Sequence, residues 1–216
     1  MARAPVAGKC KTRLIPTLGA AGAATLYAAM LQDTLAAWSR VPFARKVLFA
    51  APEDMGVAVL RTFAPAGWSV APQVGDDLGT RMGRALRSLL RDSSAAVIVG
   101  SDAPTVPVDA ASAALPRLSG DRRALLGPAD DGGYWLIGVT TFEPLVFQDI
   151  PWSTPEVLRL TREALVRTAF SVEDLPVAYD VDDVAHLDRL RAELGADPSR
   201  APQTAAALHR AVISSR

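Results

Sequence analysis

The chain has 216 residues with 23 basic and 23 acidic side chains, so its formal net charge is zero. This balance argues against a general nucleic-acid-binding protein, and the single cysteine, Cys10, excludes an internal disulfide and a cysteine-built zinc site. The length suits one sizeable α/β domain over residues 1–216. No run approaches the roughly 20 apolar residues of a membrane span and no apolar signal core opens the chain, so we expect a soluble, cytoplasmic protein.

The first loop, Ala4–Leu14, contains Gly8 and carries three cations within five residues, namely Lys9, Lys11 and Arg13. Such a loop can wrap phosphates, because backbone N–H groups approach closely beside a glycine while lysine and arginine supply charge. It is not a Walker A loop, since the Gly-x4-Gly-Lys-Ser/Thr spacing is absent. A solvent-exposed basic segment explains the composition equally well.

A helix is predicted from Gly19 to Trp38, because apolar residues recur there at helical spacing. Its buried stripe consists of Leu26, Met30, Leu31, Leu35 and Trp38. Tyr27 and Asp33 flank the stripe, and we expect both at the surface.

Strands and helices then alternate. The predicted strands are Lys46–Ala51, Trp68–Pro72, Ala96–Val99, Arg123–Leu126, the aromatic and apolar run Tyr134–Gly138, and Leu175–Tyr179. The predicted helices are Glu53–Phe63, Leu78–Leu90, Val108–Leu118, Pro155–Thr168, a helix after the acidic run that ends at Leu194, and Gln203–Val212. This alternation indicates a mostly parallel sheet with helices on both faces.

The turn Gln73–Met82 has Gly75 and Gly79 on either side of two aspartates. Backbone groups beside such glycines can approach a flat nucleobase. The alternative is an ordinary strand-to-helix turn with Asp77 as the N-cap, and the turn alone favours that interpretation.

Asp102 is the first charged residue after the apolar strand Ala96–Val99. Ligands of open α/β sheets bind outside the carboxyl ends of the strands, so this carboxylate is well placed to hold a divalent cation. Helix capping or an Asx-turn is an equally good interpretation of the stretch alone.

The segment Gly127–Gly138 contains Asp130, Asp131, Gly132 and Gly133 in succession. Adjacent glycines weaken the start of a strand, which indicates that something approaches the backbone there. An acceptor pocket fits this pattern, and an Asp-Gly hairpin turn is the competing interpretation.

Two further segments carry unusual residues. In Ile150–Glu156, Thr154 and Pro155 predict a helix start, and Trp152 is either a stacking surface or a core residue. In Asp180–Asp183, three carboxylates lie within four residues, and a divalent cation would relieve their repulsion. The alternative is that Asp182 and Asp183 cap the helix that follows.

Five motifs follow one another in the order Ala4–Leu14, Gly100–Thr105, Gly127–Tyr134, Ile150–Thr154 and Asp180–Asp183. Together they closely resemble the DUF2064 family, the selenodomain-associated transferase 1 proteins of the nucleotide-diphospho-sugar transferase superfamily. Some members carry the label arsenosugar biosynthesis glycosyltransferase, and the family is similar to molybdenum cofactor guanylyltransferase and 2-phospho-L-lactate guanylyltransferase. The resemblance covers nearly the whole chain and implies a GT-A-like, Rossmann-type three-layer sandwich with a mostly parallel sheet.

The resemblance also implies site residues by position. The nucleotide would be held at its phosphates by Gly8, Lys9, Lys11, Thr12 and Arg13, and at its base by Gly75, Leu78 and Gly79. The catalytic residues would be Asp102, which is also a metal ligand together with Asp182, and Asp131, a candidate general base. The acceptor side would be formed by Asp131, Gly132, Gly133 and Tyr134.

In one respect the chain departs from the family, which has an apolar strand before the Ala-Pro loop. Only Met1, Ala2 and Arg3 precede that loop here, so we expect the first strand to be missing or truncated to a stub, with a loss of stability.

We therefore predict a Mg²⁺- or Mn²⁺-dependent glycosyltransferase that uses a nucleoside-diphosphate sugar and a small-molecule acceptor, without nucleic-acid partners. A nucleotidylyltransferase acting on a nucleoside triphosphate is the first alternative, and a non-catalytic nucleotide-binding protein is the second.

Overall fold

The structure, a computed structural model, describes residues 1–53 and 55–213. It divides into two compact units. Unit 1 comprises Met1–Pro72, Ser101–Val106 and the described residues of Asp180–Arg216, and unit 2 comprises Gln73–Gly100 and Pro107–Tyr179.

The described residues contain seven strands and seven α-helices. In chain order these are β1 (Ala2–Arg3), α1 (Ile15–Ser39), β2 (Lys46–Ala51), α2 (Met55–Arg61), β3 (Trp68–Pro72), α3 (Leu78–Leu89), β4 (Ala96–Val99), α4 (Val108–Ala114), β5 (Arg123–Pro128), β6 (Tyr134–Val139), α5 (Val157–Arg167), β7 (Ser171–Asp174), α6 (Val184–Ala196) and α7 (Pro202–Ile213).

Unit 1 has a parallel three-stranded sheet in the order β1-β2-β3. The predicted short first strand is the two-residue β1, in which Ala2 is level with Ala50 of β2. Side chains from α1 and α2, including Leu31, Leu35 and Leu60, pack with these strands into one apolar cluster. The burial of these aliphatic side chains stabilises the unit.

The central helix α1 is more deeply buried than predicted. The expected stripe is buried, but so are Tyr27 and Asp33, which we predicted at the surface. Asp33 lies beneath the start of α7, where its carboxylate accepts the backbone N–H groups of Gln203 at 3.1 Å and Thr204 at 2.7 Å. Since α1 contacts α7 as well as the sheet, a single stripe does not describe its buried surface.

The same helix bears on the membrane prediction. The helical stretch Thr12–Ser39 is long and apolar enough to pass a test for a membrane span by length and composition, which the sequence analysis did not anticipate. A core helix of a soluble protein passes the same test. Here the helix is broken at Gly19, where φ is 69°, and it buries the paired carboxylate of Asp33 inside unit 1.

Unit 2 has a four-stranded sheet in the order β4-β6-β5-β7, with β6 antiparallel to both of its neighbours. The strand predicted at Leu175–Tyr179 is instead β7, Ser171–Asp174, which pairs parallel with β5. Pro176 explains the difference, because proline cannot donate to a ladder; beyond it only Ala178 bridges to Ala129.

The predicted fold class is confirmed. The chain is α/β, and three of the five strand pairs in the described residues are parallel. The helix predicted to begin at Pro155 begins two residues later, at Val157.

Candidate functional site

The loop Ala4–Leu14 leaves the end of β1 and turns tightly before α1. Backbone bonds fix its course, from Ala4 N–H to the Ala51 carbonyl at 2.8 Å and from Lys9 N–H to the Val6 carbonyl at 2.9 Å. Gly8 supplies a positive φ of 77°, whereas Lys11 holds the left-handed conformation with a side chain, at φ 44° and ψ 45°. That conformation costs roughly 1–2 kcal/mol for a residue with a Cβ atom.

The Lys11 side chain is 4% exposed and lies between two aspartates. Its Nζ forms ion pairs with Asp102 and, at 2.8 Å, with Asp182. Burial by itself would lower the pKa of Lys11, but the two carboxylates more than offset this effect and raise it. The two predicted metal ligands therefore converge on one nitrogen atom.

The aspartates are also joined through their backbones. The N–H of Val181 donates to the carbonyl oxygen of Asp102 at 2.9 Å, so the two segments that carry the carboxylates are held together in unit 1. The side chains of Asp102 and Asp182 remain 41% and 44% exposed. Both can therefore contact a ligand from solvent.

Tyr27 is a site residue that the sequence analysis missed. Its hydroxyl oxygen accepts the backbone N–H of Arg3 at 3.0 Å and shares a hydrogen bond of 2.8 Å with Ser101, the residue before Asp102. The Lys11 Nζ lies 5.7 Å from the centroid of its ring, within the range of a cation–π contact. Burial, and secondarily Asp102, raises the pKa of Tyr27.

The remaining residues of the phosphate loop differ in exposure. Gly8, Lys9, Thr12 and Arg13 are exposed. Cys10 is buried against Ala24 and Tyr27 and donates to the Val6 carbonyl at 3.4 Å. These contacts anchor the loop on α1, and burial raises the pKa of the Cys10 thiol.

A divalent cation fits this donor set only with help from a ligand. Among residues 1–53 and 55–213, no group of three histidine, cysteine or acidic side chains could hold a metal ion. Mg²⁺, however, commonly binds one or two carboxylates and completes its shell with substrate phosphates and waters. Asp102 and Asp182 supply two such carboxylates, and the point at which they meet is occupied by the Lys11 ammonium.

In unit 2, the predicted base-binding turn is also a helix start. Asp77 caps α3 by accepting the N–H of Thr80 at 2.8 Å, which lowers the pKa of Asp77. A Cβ atom on Gly79 would lie 2.5 Å from Cε2 of Trp152, so the close neighbour of this glycine is an indole ring. Leu78 is 43% exposed.

The predicted acceptor turn has the geometry of an Asx-turn. The N–H of Gly133 donates to Oδ1 of Asp131 at 2.8 Å, and Gly132 has a φ of 88°. A Cβ atom on Gly132 would lie 2.6 Å from Cα of Pro155. Asp131 is exposed, whereas Tyr134 is half-buried with its hydroxyl 3.8 Å from the Met82 sulfur.

One segment, Ile150–Pro155, therefore covers both glycine turns of unit 2. Trp152 packs on Gly79 and Pro155 packs on Gly132, and between them Ser153 holds a positive φ of 67°. The close neighbours of Gly79 and Gly132 are thus residues of this segment, and contact of these turns with a nucleobase or an acceptor stays a prediction.

The acidic run Asp180–Asp183 has divided roles. Asp182 pairs with Lys11, whereas Asp183 caps α6 by accepting the N–H of His186 at 2.9 Å, a bond that lowers the pKa of Asp183. The capping interpretation therefore applies to Asp183, whereas Asp182 is paired with an ammonium and its role as a metal ligand stays a prediction.

Comparisons with known proteins agree with this architecture. A family model described as "Uncharacterized protein conserved in bacteria (DUF2064)" matches residues 34–154. A crystal structure from Desulfovibrio desulfuricans G20, described as a "putative nucleotide-diphospho-sugar transferase", is 34% identical, with a TM-score of 0.86 over 97% of this chain and 91% of that one. No curated protein matches the chain.

Proposed function

The chain belongs to the DUF2064 family, and from that premise we propose that it is a transferase for a nucleotide-linked donor, specifically a glycosyltransferase that uses a nucleoside-diphosphate sugar with Mg²⁺ or Mn²⁺. The observation that carries the proposal is the convergence of Asp102 and Asp182 on Lys11. This acidic pair shares unit 1 with an exposed basic loop, and that combination suits a cation-bound diphosphate.

Asp102 and Asp182 would hold the divalent cation. When bound, such a cation neutralises charge that develops on a departing diphosphate. Lys9 and Arg13, which are exposed on the same loop, bind phosphate oxygens and add fixed positive charge at the leaving group. The backbone beside Gly8 and the Thr12 hydroxyl offer further donors.

The roles in unit 2 are proposed from the family resemblance. Gly75, Leu78 and Gly79 form the base side, where Leu78 offers an exposed apolar surface. Asp131, Gly132, Gly133 and Tyr134 form the acceptor side. Asp131 has one oxygen engaged by Gly133, and its exposed carboxylate accepts the proton of an acceptor hydroxyl as a general base.

The test has two stages. A thermal-shift screen of nucleoside diphosphates and nucleotide sugars, with and without Mn²⁺, should show stabilisation that depends on both components. Product analysis then decides the reaction class. Release of a nucleoside diphosphate supports glycosyl transfer, release of pyrophosphate from a triphosphate indicates nucleotidylyl transfer, and binding without turnover of any donor indicates a non-catalytic protein.

A further inference from the structure

The position of Lys11 raises the question of what its charge does. A buried ammonium is costly unless it is paired, and Lys11 is paired twice, with Asp102 and Asp182. Two of its three N–H donors are thereby engaged. Lys9 and Arg13, by contrast, are exposed on the same loop. We therefore expect Lys9 and Arg13 to contact phosphate, whereas the charge of Lys11 is neutralised by the two carboxylates.

We propose that Lys11 is an internal counter-cation that competes with the divalent cation for Asp102 and Asp182, so that the cation binds tightly only together with a nucleoside diphosphate. The proposal rests on the proposed function. Lys11 Nζ contacts an oxygen of each carboxylate, so its positive charge opposes any second cation there. A diphosphate supplies both negative charge and further oxygen ligands, which reverses that balance.

This arrangement makes the cation and the nucleotide mutually dependent. If the nucleotide raises the affinity for the cation, the cation must raise the affinity for the nucleotide by the same factor. Two structural features hold Lys11 in this role, namely its left-handed backbone conformation and the Tyr27 ring beside its Nζ.

The experiment measures Mn²⁺ binding by calorimetry, first with Mn²⁺ alone and then with a nucleoside diphosphate present. Lys11→Met keeps the length of the side chain and removes its charge. We expect this variant to bind Mn²⁺ alone roughly ten- to a hundredfold more tightly than the wild type, the range by which a neighbouring charge shifts ionic equilibria. The coupling between Mn²⁺ and nucleotide should shrink by the same factor.

Arg61→Met is the control, because it removes a positive charge from an exposed position in the last turn of α2, outside the proposed site. It should leave the affinity for Mn²⁺ alone within about twofold of the wild type, since exposed charges are strongly screened. Equal or weaker Mn²⁺ binding by Lys11→Met would overturn the proposal, because a lysine that merely positions the carboxylates predicts a loss of affinity when it is removed.

A second measurement on the wild type covers the case in which Lys11→Met does not fold. The ¹⁵N resonance of the Lys11 ammonium should move when Mg²⁺ and a nucleoside diphosphate are added together, and an unchanged resonance at saturation would overturn the proposal. If the wild type binds nucleotide and Mn²⁺ but Lys11→Met gains nothing, only the Lys11 proposal fails. If the wild type binds neither nucleotide nor Mn²⁺, both the proposed function and this proposal fail.

Discussion

Tyr27 shows how one hydroxyl group can hold a site together. It accepts the N–H of Arg3 and bonds Ser101, next to Asp102, and its ring lies beside the Lys11 ammonium. Three segments of unit 1 therefore meet on one α1 side chain that is 2% exposed. Its contribution is positional, because it fixes Asp102 and Lys11 without reaching solvent.

Tyr27→Phe should lower the free energy of unfolding by about 1–3 kcal/mol, because the change removes the hydrogen bonds that the Tyr27 hydroxyl forms with Arg3 and Ser101. Ser101→Ala is the comparison, since it removes one hydrogen bond to Tyr27 but leaves Arg3 paired. It should lower the free energy of unfolding by less than Tyr27→Phe does. Chemical denaturation of the two variants checks this order. Equal stability of Tyr27→Phe and the wild type would contradict it.

Asp102→Asn should abolish Mn²⁺-dependent nucleotide binding while the protein still folds. The Asp102 side chain is 41% exposed, and its backbone carbonyl keeps the bond from Val181. The substitution therefore removes charge and leaves the packing. Asp109→Asn makes the same change at an exposed position on α4 and should bind normally. Wild-type nucleotide affinity in Asp102→Asn, measured with Mn²⁺, would exclude Asp102 as a ligand.

At the scale of elements, the segment Ile150–Pro155 organises unit 2. It places an indole ring on Gly79 and the backbone of Pro155 on Gly132. The glycines of these two turns led us to predict contacts with a ligand. In the structure, both turns pack against this one segment.

Gly132→Ala should therefore destabilise unit 2 by roughly 2–5 kcal/mol, the sum of left-handed strain and overpacking. The new Cβ atom would lie 2.6 Å from the Pro155 Cα, which cannot rotate away. Gly120→Ala is the matched control, because its φ of 82° is similar but nothing lies within 4 Å of the added atom. In thermal unfolding, the melting temperature should fall clearly further for Gly132→Ala than for Gly120→Ala. Equal losses of stability in the two variants would mean that backbone strain alone destabilises them and that the contact with Pro155 adds nothing.

Sequence patterns located most elements, and their failures have physical causes. Strands β2, β3 and β4 begin and end where predicted, because apolar runs between turn residues are local signals. Tyr27 and Asp33 were misplaced because their burial depends on partners far away in sequence. The contact of Lys11 with Asp182 spans 171 residues, and no local pattern encodes it.

At the scale of the whole molecule, the buried titratable groups predict how stability depends on pH. Lys11 and Tyr27 both have raised pKa values, from ordinary values of 10.5 and 10.0. Each group therefore keeps its proton in the folded state at a pH where the unfolded chain has released it. Their contribution to stability is complete below about pH 10 and is lost as the pH rises further.

The melting temperature should therefore fall between pH 10 and pH 11 more steeply in the wild type than in Tyr27→Phe, which has one ionisable group fewer at this site. Scanning calorimetry at intervals of half a pH unit measures both slopes. Parallel slopes would show that Tyr27 ionises equally easily in the folded and unfolded chains.

Unit 1 is assembled from three separate stretches of the chain, and each stretch supplies one member of the group Lys11, Asp102 and Asp182. During translation, Lys11 is synthesised long before Asp102, and Asp182 comes last of the three. No fragment that ends within unit 2 can contain the complete group. A gene shortened at its 3′ end would therefore lose the acidic pair before it lost the basic loop.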